Sequence, residues 1–146
     1  MKYTHYPKRD AIKNYFPMPN EIFYFGLRAG EIALYAFLLK CEDRKTFKCW
    51  PSYKTICKAL NVSKNTVRIY IDKLCEKQLI EVEYTYVYTK GGEKRNGNLM
   101  YTIRPIQEAI NYDFEKQLEK NAIELKKAEL EKKFQEYMKS KEESAS

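Results

Sequence analysis

Apolar residues recur at helical spacing in three early stretches of the chain. The stretch at residues 29–41, AGEIALYAFLLKC, is apolar on nearly every side, which predicts a strongly buried helix. Pro51 and Ser52 begin a second helix, with Ser52 as its N-cap. After a short turn, Ser63 caps a third helix that runs to about Lys77. The predicted buried face of this third helix consists of Val67, Tyr70, Ile71, Leu74 and Cys75.

Alternation with a period of two residues replaces helical spacing after the third helix. In LIEVEYTYVYT, at residues 79–89, apolar and polar residues alternate, which predicts a strand. The glycine-rich KGGEKRNGN predicts a hairpin tip, and LMYTIRP predicts a returning strand that ends at Pro105. A shorter strand is predicted at Thr46–Trp50. This order of elements predicts an α+β, mainly helical fold, in which a helix-turn-helix is followed by a hairpin.

The segment from Ile106 to Lys139 contains neither glycine nor proline, and its spaced charges predict one long C-terminal helix. Its apolar residues fall on two nearly opposite sides at about 100° per residue. The first side carries Ile110, Phe114, Leu118, Leu125 and Ala128, and the second carries Ile123, Leu130, Phe134 and Tyr137. We expect this helix to form a homodimer, although fraying after about Leu125 would also explain the second side.

These patterns divide the chain into four segments. We expect an aromatic and basic N-terminal arm at residues 1–28 and a DNA-binding domain at 29–105. The C-terminal helix at 106–139 would serve oligomerisation or docking, and residues 140–146 are expected to be disordered.

Charge is unevenly distributed along the 146 residues, which together carry a formal net charge of +7. Residues 1–105 contain 19 Lys and Arg against 10 Asp and Glu, a net charge of +9. Residues 106–146 contain 8 against 10, a net charge of −2. This asymmetry favours a polyanionic partner for the first part of the chain. No apolar run is long enough for a membrane span or a signal peptide, so we expect a cytoplasmic protein without a membrane partner.

Candidate catalytic and metal-binding chemistry is sparse. The four cysteines, at positions 41, 49, 57 and 75, form no closely spaced pair, and His5 is the only histidine. We expect these cysteines to be small, mostly buried side chains, and we expect neither a metal nor a cofactor. No acid–base pair or phosphate-binding loop is recognisable, so the sequence does not indicate an enzyme.

The third helix has a polar side opposite its buried face. On a helical wheel, Lys64, Asn65, Arg68 and Asp72 fall within about 100° of one another, on the side away from Leu74. Lysine and arginine can bond guanine and asparagine can bond adenine in the major groove. Ser63 and Thr66, in the first turn, suit phosphate oxygens. A capped surface helix with solvated charges explains the same pattern.

The hairpin tip adds a second basic group. It carries Lys90, Lys94, Arg95 and Asn96 among three glycines, with Glu93 as its single acid. A basic hairpin can follow phosphates or place an arginine in a minor groove. Exposed turns are often rich in lysine and glycine, so this signal depends on the helix-turn-helix before it.

The stretch CWPSYKTICKALNVSKNTVRIYIDKLCEKQLIEV resembles the winged helix-turn-helix signature, and VSKNTVRIYIDKL is similar to GntR-type regulators. Over residues 15–105 the chain resembles the helix-turn-helix domains encoded by Firmicutes plasmids, phages and conjugative elements, including replication-initiator and replisome-organiser N-terminal domains. Gln78 stands where glycine is usual before the wing. Together with Lys54, the DNA contacts expected from this resemblance and from the two basic groups are Ser52, Ser63, Lys64, Asn65, Thr66, Arg68, Lys90, Lys94, Arg95 and Asn96.

These observations predict sequence-specific binding of double-stranded DNA through residues 63–77 and a wing at 89–98. The role would be that of a nucleoid-associated transcriptional regulator or of a replication initiation factor of a mobile element. A winged-helix module that binds proteins without DNA specificity is the alternative. Because no ligand-binding domain follows the wing, we expect no small-molecule effector. Packing is favoured over DNA contact for Tyr70, whereas the functions of Tyr53 and Ile69 stay open between DNA contact and packing.

Overall fold

The computed structural model describes residues 15–145, so residues 1–14 of the predicted arm lie outside it. The chain divides into two compact units between Ile106 and Gln107. In chain order, the elements are a 3-10 helix (Asn20–Tyr24), α1 (Ala29–Cys41), β1 (Lys48–Cys49), α2 (Tyr53–Leu60), α3 (Lys64–Glu76), β2 (Ile80–Glu83), β3 (Tyr86–Tyr88), β4 (Lys94–Asn96), β5 (Met100–Ile103) and α4 (Ile106–Ala145). The predicted α+β class is confirmed, with a helix-turn-helix, a small wing and a long C-terminal helix.

Three helices and a small sheet enclose the core of the first unit. α1 contributes Leu34, Tyr35 and Leu38, each almost fully buried. The 3-10 helix adds Ile22 to the same core, so part of the predicted arm belongs to the folded unit. The other fully buried apolar side chains are Ile56 of α2, Val67 and Leu74 of α3, Leu79, Ile80 of β2 and Tyr101 of β5. Burial of each such side chain typically contributes about 1.5–3 kcal/mol, so this core holds α3 firmly.

Local hydrogen bonds fix both ends of the turn between α2 and α3. Asn61, the C-cap of α2, adopts the left-handed conformation, with φ of 55°. Asparagine tolerates this conformation better than most residues do. Ser63 then caps α3, as the sequence predicts: its Oγ accepts a hydrogen bond from the backbone N–H of Thr66 at 3.2 Å. The chain therefore leaves α2 and enters α3 within three residues.

The C-terminal end of α3 depends on Gln78, which has a positive φ of 61°. The N–H of Leu79 donates to the carbonyl of Leu74, and the N–H of Gln78 donates to the carbonyl of Cys75, both at 3.0 Å. This pair of bonds is a Schellman motif, which normally places glycine at the left-handed position. This conformation explains why the family resemblance leads us to expect glycine at position 78. Gln78 adopts the same left-handed conformation, but under strain.

The strands form two separate ladders. The single strand predicted at 79–89 is therefore wrong, because it is divided into β2 and β3, and β4 lies within the predicted hairpin tip. β1, β5 and β2 form an antiparallel sheet in the order β1-β5-β2, while β3 pairs only with β4. Glu83 pairs with Met100 in the first ladder, and Tyr86 pairs with Asn96 in the second. Between the two ladders, the two residues 84–85 therefore lie opposite the three residues 97–99. The pairing register shifts by one residue, as in a β-bulge.

Gly97 lies at this break and makes close contact with the opposite strand. Its N–H donates to the carbonyl of Thr85 at 2.8 Å. A Cβ atom at position 97 would come within 2.5 Å of the Thr85 side-chain oxygen, so glycine allows the strands to approach. The break separates the base of the wing, in the three-stranded sheet, from the outer ribbon formed by β3 and β4.

α4 is one continuous helix of 40 residues, about 60 Å long at 1.5 Å per residue. It extends to Ala145, so the expected disorder at 140–146 is wrong for 140–145, and Ser146 lies outside the described residues. Spaced charges and the absence of glycine and proline continue almost to its end, which explains the extension. Its exposed large apolar residues are Phe114, Leu118, Ile123, Leu125, Leu130, Phe134, Tyr137 and Met138.

Candidate nucleic-acid interface

The polar side of α3 is exposed along its whole length. Lys64, Asn65 and Arg68 are exposed, whereas Val67 and Leu74 have no exposed surface. Ile69 is 64% exposed, so it does not pack under the wing and remains available for an apolar contact. The predicted contacts of α3 therefore lie on a surface that a DNA groove could reach.

Tyr53, at the start of α2, lies beneath the two cationic side chains of α3. The Lys64 ammonium is 5.4 Å from the centre of the Tyr53 ring, and the Arg68 guanidinium is 5.8 Å from it. Both distances lie within the range of cation–π attraction, which is worth about 0.5–1 kcal/mol at exposed sites. The ring thus helps to hold two like charges side by side on one face, against their mutual repulsion.

Both predicted serine contacts act as helix caps. Ser52 Oγ accepts from the backbone N–H of Thr55 at 3.1 Å, and Ser63 Oγ does the same for Thr66. The Ser63 and Thr66 hydroxyl oxygens also lie 2.9 Å apart, within hydrogen-bonding distance. By helix geometry, the amides of Lys64 and Asn65 have no acceptor within α3. The start of α3 therefore offers free N–H groups beside a cationic side chain, an arrangement that suits a phosphate.

The outer ribbon of the wing carries the second group of candidates. The Lys94 ammonium lies 3.9 Å from the centre of the Tyr86 ring, and Arg95 Nη2 lies 3.7 Å from Glu93 Oε2. Paired residues across a ribbon share a face, so Lys94 and Asn96 lie on the face of Tyr86 and Tyr88. Arg95 lies on the other face, so the four predicted wing residues do not form a single surface. Lys90 is exposed in the connecting turn.

A cleft of about 570 Å³ separates α3 from the base of the wing. Tyr53, Lys64 and Arg68 line it on the helical side. Across from them, the wing contributes Tyr84, Asn96 and Asn98. Of the 11 predicted contacts, only Lys64, Arg68 and Asn96 line this cleft, and Lys54 is exposed outside it.

Among the cleft residues that sequence reasoning missed are Asn98, Tyr84 and Tyr101. Asn98 donates through Nδ2 to the carbonyl of Trp50 at 3.2 Å, which ties the returning strand to the segment before α2. Tyr84 contributes a ring at the break in the wing, and Tyr101 forms part of the cleft wall. Burial raises the pKa of Tyr101, and the nearby Tyr53 adds to the rise, so its phenol stays neutral. The asparagine-rich loop was visible in the sequence, but its contact with Trp50 depends on the fold.

Tyr70 packs against α1. A Cβ atom built on Gly30 would come within 2.2 Å of the Tyr70 hydroxyl oxygen, so the ring occupies the space left by that glycine. Tyr70 is also only partly exposed. Packing is therefore its role in the fold, as its position on the apolar side of α3 indicates.

Within residues 15–145, no group of three or more His, Cys, Asp and Glu residues could hold a metal ion. Cys49 is buried, and burial raises the pKa of its thiol to about 12, with smaller contributions from Cys41 and Glu42. Cys41 is exposed and Cys57 and Cys75 are only half-buried, so the expectation of mostly buried cysteines holds at Cys49 alone. In the same described range, no helix combines the length and apolar character that crossing a membrane requires.

Comparison with known proteins identifies one domain. Residues 26–80 match the family model described as "Helix-turn-helix domain". No curated protein matches the chain. The matched segment contains α1, β1, α2 and α3, so the family match and the observed architecture agree on the same part of the chain.

Two solved structures show a similarity to this chain. A "possible transcriptional regulator" from Methanosarcina mazei Go1 is 21% identical, with a TM-score of 0.45, over 70% of this chain and 80% of that one. BpsR of Bordetella bronchiseptica, whose DNA binding is described as regulated by 6-hydroxynicotinic acid, is 20% identical. Its TM-score is 0.37, over 70% of this chain and 64% of that one.

Neither similarity identifies a Firmicutes mobile-element family. The segment that matches the helix-turn-helix family model includes the turn between α2 and α3 and the exposed face of α3. Residues 26–80 are therefore a helix-turn-helix domain, a fold that supports DNA binding.

Proposed function

We propose that this protein binds double-stranded DNA in a sequence-specific manner, with α3 in the major groove. The observation that carries this proposal is the pairing of Lys64 and Arg68 over the Tyr53 ring, on the exposed face of a helix-turn-helix domain. The neighbouring Asn65 supplies an amide that suits adenine. In this interface, α3 selects bases, while Ser52, Ser63, Thr66 and Lys54 contact phosphates.

The wing contributes charge rather than base selection in this proposal. Lys90, Lys94 and Arg95 are exposed, and the local pairing of Arg95 with Glu93 is weak because both groups are solvated. With α3 in the major groove, these wing cations would reach the phosphates beside it. Asn96, at the edge of the cleft, would join the two groups of contacts.

The proposal is tested by selecting binding sites from random duplex DNA at near-physiological salt. Wild-type protein should enrich one sequence. The variant with Arg68→Ala and Asn65→Ala should lose that preference, because each good bidentate base contact discriminates by about 1–3 kcal/mol. The matched control, Arg44→Ala with Asn111→Ala, changes the same residue types at exposed positions that are not among the predicted contacts. An unchanged preference in the first variant would refute the assignment of α3.

Failure of the wild-type protein to enrich any duplex would favour the alternative function. In that case the winged helix would be a protein-binding module, and the exposed cations would serve an acidic partner. A partner of that kind should compete with bulk DNA for Lys64 and Arg68. Circular dichroism on the same sample would exclude unfolding as the reason for the failure.

Dimerisation through α4 belongs to the same proposal. Its apolar side chains are more than two-fifths exposed in the single chain, and they occupy two nearly opposite sides. Isolated exposed apolar residues are common, but eight along one helix favour a protein partner. A second copy is the simplest partner, because two winged helices would read both halves of a palindromic site.

The sharpest test of the dimer places one charge on α4. Phe134→Glu puts a carboxylate on an apolar side, whereas Gln135→Glu adds the same charge at the neighbouring polar position. Light scattering should report a dimer for the wild type and the Gln135 variant, and a monomer for the Phe134 variant. A monomeric wild type at micromolar concentration would contradict the proposal, whatever its DNA binding.

The cellular role is either transcriptional regulation or initiation of replication of a mobile element. The sequence resemblance supports both roles, and neither requires a catalytic centre, a cofactor or a small-molecule effector. Mapping of binding sites on the source DNA separates the two roles. Sites at promoters would support a nucleoid-associated regulator in the cytoplasm, and sites at one origin would support an initiation factor.

A further inference from the structure

The outer part of the wing exposes three tyrosine rings whose role duplex binding does not explain. Tyr84 is 79% exposed, Tyr88 is 73% exposed and Tyr86 is 52% exposed. An aromatic ring left in water forgoes about 25 cal/mol for each square ångström of apolar surface that it could bury. Three such rings within five residues form a surface that suits a flat, apolar ligand.

Geometry places Tyr86 and Tyr88 on one face of the wing, next to the cleft that Tyr84 lines. Tyr86 and Tyr88 are two residues apart in β3, so they share a face and are separated by about 6.7 Å along the strand. Tyr86 pairs across the ribbon with Asn96, which lines the same cleft as Tyr84. Tyr84 at the cleft, and Tyr86 and Tyr88 along the ribbon, therefore follow one another as a row of exposed rings.

Cations accompany this row. Lys94 lies on the same face of the ribbon, with its ammonium over the Tyr86 ring, and Lys90 follows in the connecting turn. Alternation of aromatic rings with positive charges matches a chain of flat bases joined by phosphates. An apolar protein partner would have no use for the cations, and a paired duplex would not fit the rings, because stacked neighbours cover the faces of its bases.

We infer that the tyrosine row of the wing, Tyr84, Tyr86 and Tyr88, binds unpaired bases of single-stranded nucleic acid by stacking, with Lys94 and Lys90 on its phosphates. This site goes beyond the duplex interface of α3, and it shares only Lys90 and Lys94 with the phosphate contacts proposed for the wing. Because every base has a flat face, such binding would be tolerant of sequence. It would allow one protein to hold a duplex site with α3 and an opened segment with the wing.

The probe is a fluorescent oligothymidine of about 12 nucleotides, titrated with the full-length protein and followed by anisotropy. Replacing all three tyrosines with leucine should weaken binding by at least tenfold, since each stacked base contributes roughly fivefold or more. The triple phenylalanine variant keeps the rings and should bind within about threefold of wild type. The control Tyr24→Leu removes an equally exposed ring, 78% exposed, outside the row.

A second strand, containing 2-aminopurine, reports stacking directly, because its fluorescence falls when the base stacks on a ring. The single variant Tyr88→Leu, farthest from the cleft, should reduce this quenching even if the triple leucine variant folds poorly. Unchanged affinity in both leucine variants, or no binding of the single strand by the wild type, would overturn the inference. An equal loss on single strand and duplex would also overturn it, because the rings would then be ordinary duplex contacts.

The proposal that α3 binds duplex DNA can be tested independently of the wing site. Arg68→Ala with Asn65→Ala should remove duplex preference while leaving affinity for oligothymidine within about twofold. A wild type that binds the single strand but selects no duplex would refute the proposed function and support the wing site. The opposite result would refute the wing site alone.

Discussion

α3 and the outer ribbon of the wing both expose cations, but the chain holds them differently. α3 is anchored by Val67 and Leu74, which have no exposed surface, and is closed by hydrogen bonds at both ends. Every residue of β3 and β4 is exposed, and these strands pair only with each other. The comparison suggests a division of labour, because base selection requires fixed side chains, whereas phosphate contact tolerates looser ones.

The largest expected effect tests how firmly each region is held. Leu74→Ala should lower the free energy of unfolding by about 2–5 kcal/mol, since it leaves a cavity under α3. Val87→Ala, in the middle of β3 and 53% exposed, should change it by less than about 0.5 kcal/mol. Urea unfolding followed by circular dichroism measures both. Similar losses in the two variants would mean that the wing is as integral to the core as α3 is.

The second prediction separates charge from selection at the wing. Lys94→Ala with Arg95→Ala should weaken binding to every duplex alike and make its salt dependence less steep. The slope should fall by about 0.9 log units per log unit of salt for each phosphate that the variant no longer neutralises. Arg44→Ala with Lys45→Ala, an exposed pair of the same types beyond α1, should leave the slope unchanged. A constant slope in the wing variant, or a changed sequence preference, would break the proposed division of labour.

The third prediction concerns the strained end of α3. Gln78 has a φ of 61°, and its side-chain oxygen accepts a hydrogen bond from Arg104. Gln78→Gly and Gln78→Ala both lose that bond, but only glycine adopts the left-handed conformation without strain. The glycine variant should therefore be the more stable of the two by about 1 kcal/mol. Equal thermal stability would mean that the backbone at position 78 relaxes, and that α3 is fixed less firmly than its hydrogen bonds indicate.

The sequence predicted α3 well because a helix is a local structure. The spacing of Val67, Ile71 and Leu74 determines which side is buried, and Ser63 marks the start. The wing was predicted less well. Its two ladders and the register shift beside Gly97 depend on contacts across strands, which the alternation of residues along one strand does not specify.

The extent of the candidate site was also only partly predictable. The wheel correctly grouped Lys64, Asn65 and Arg68 on one side, because their relation is internal to α3. The place of Tyr53 beneath them and of Asn98 opposite them requires the packing of α2 and the return of the wing. Arg95 was grouped with Lys94 by sequence proximity, yet adjacent residues of a strand point to opposite faces.

The smallest expected effect tests whether the fixed position of the α3 cations matters in itself. Tyr53→Leu removes the ring beneath Lys64 and Arg68, whereas Tyr53→Phe keeps the ring and removes only the hydroxyl. The leucine variant should bind the selected duplex about two- to fivefold more weakly, which corresponds to a cation–π contribution of roughly 0.5–1 kcal/mol. The phenylalanine variant should match the wild type.

Titration of both variants against the selected duplex and a scrambled duplex distinguishes base recognition from phosphate contact. If the ring positions the two cations for bases, the leucine variant loses affinity mainly for the selected sequence, since the charges themselves remain. An equal loss on both duplexes would assign the ring to phosphate contact and would place α3 in the same functional class as the wing. A loss in the phenylalanine variant as well would identify the hydroxyl, rather than the ring, as the group that contacts DNA.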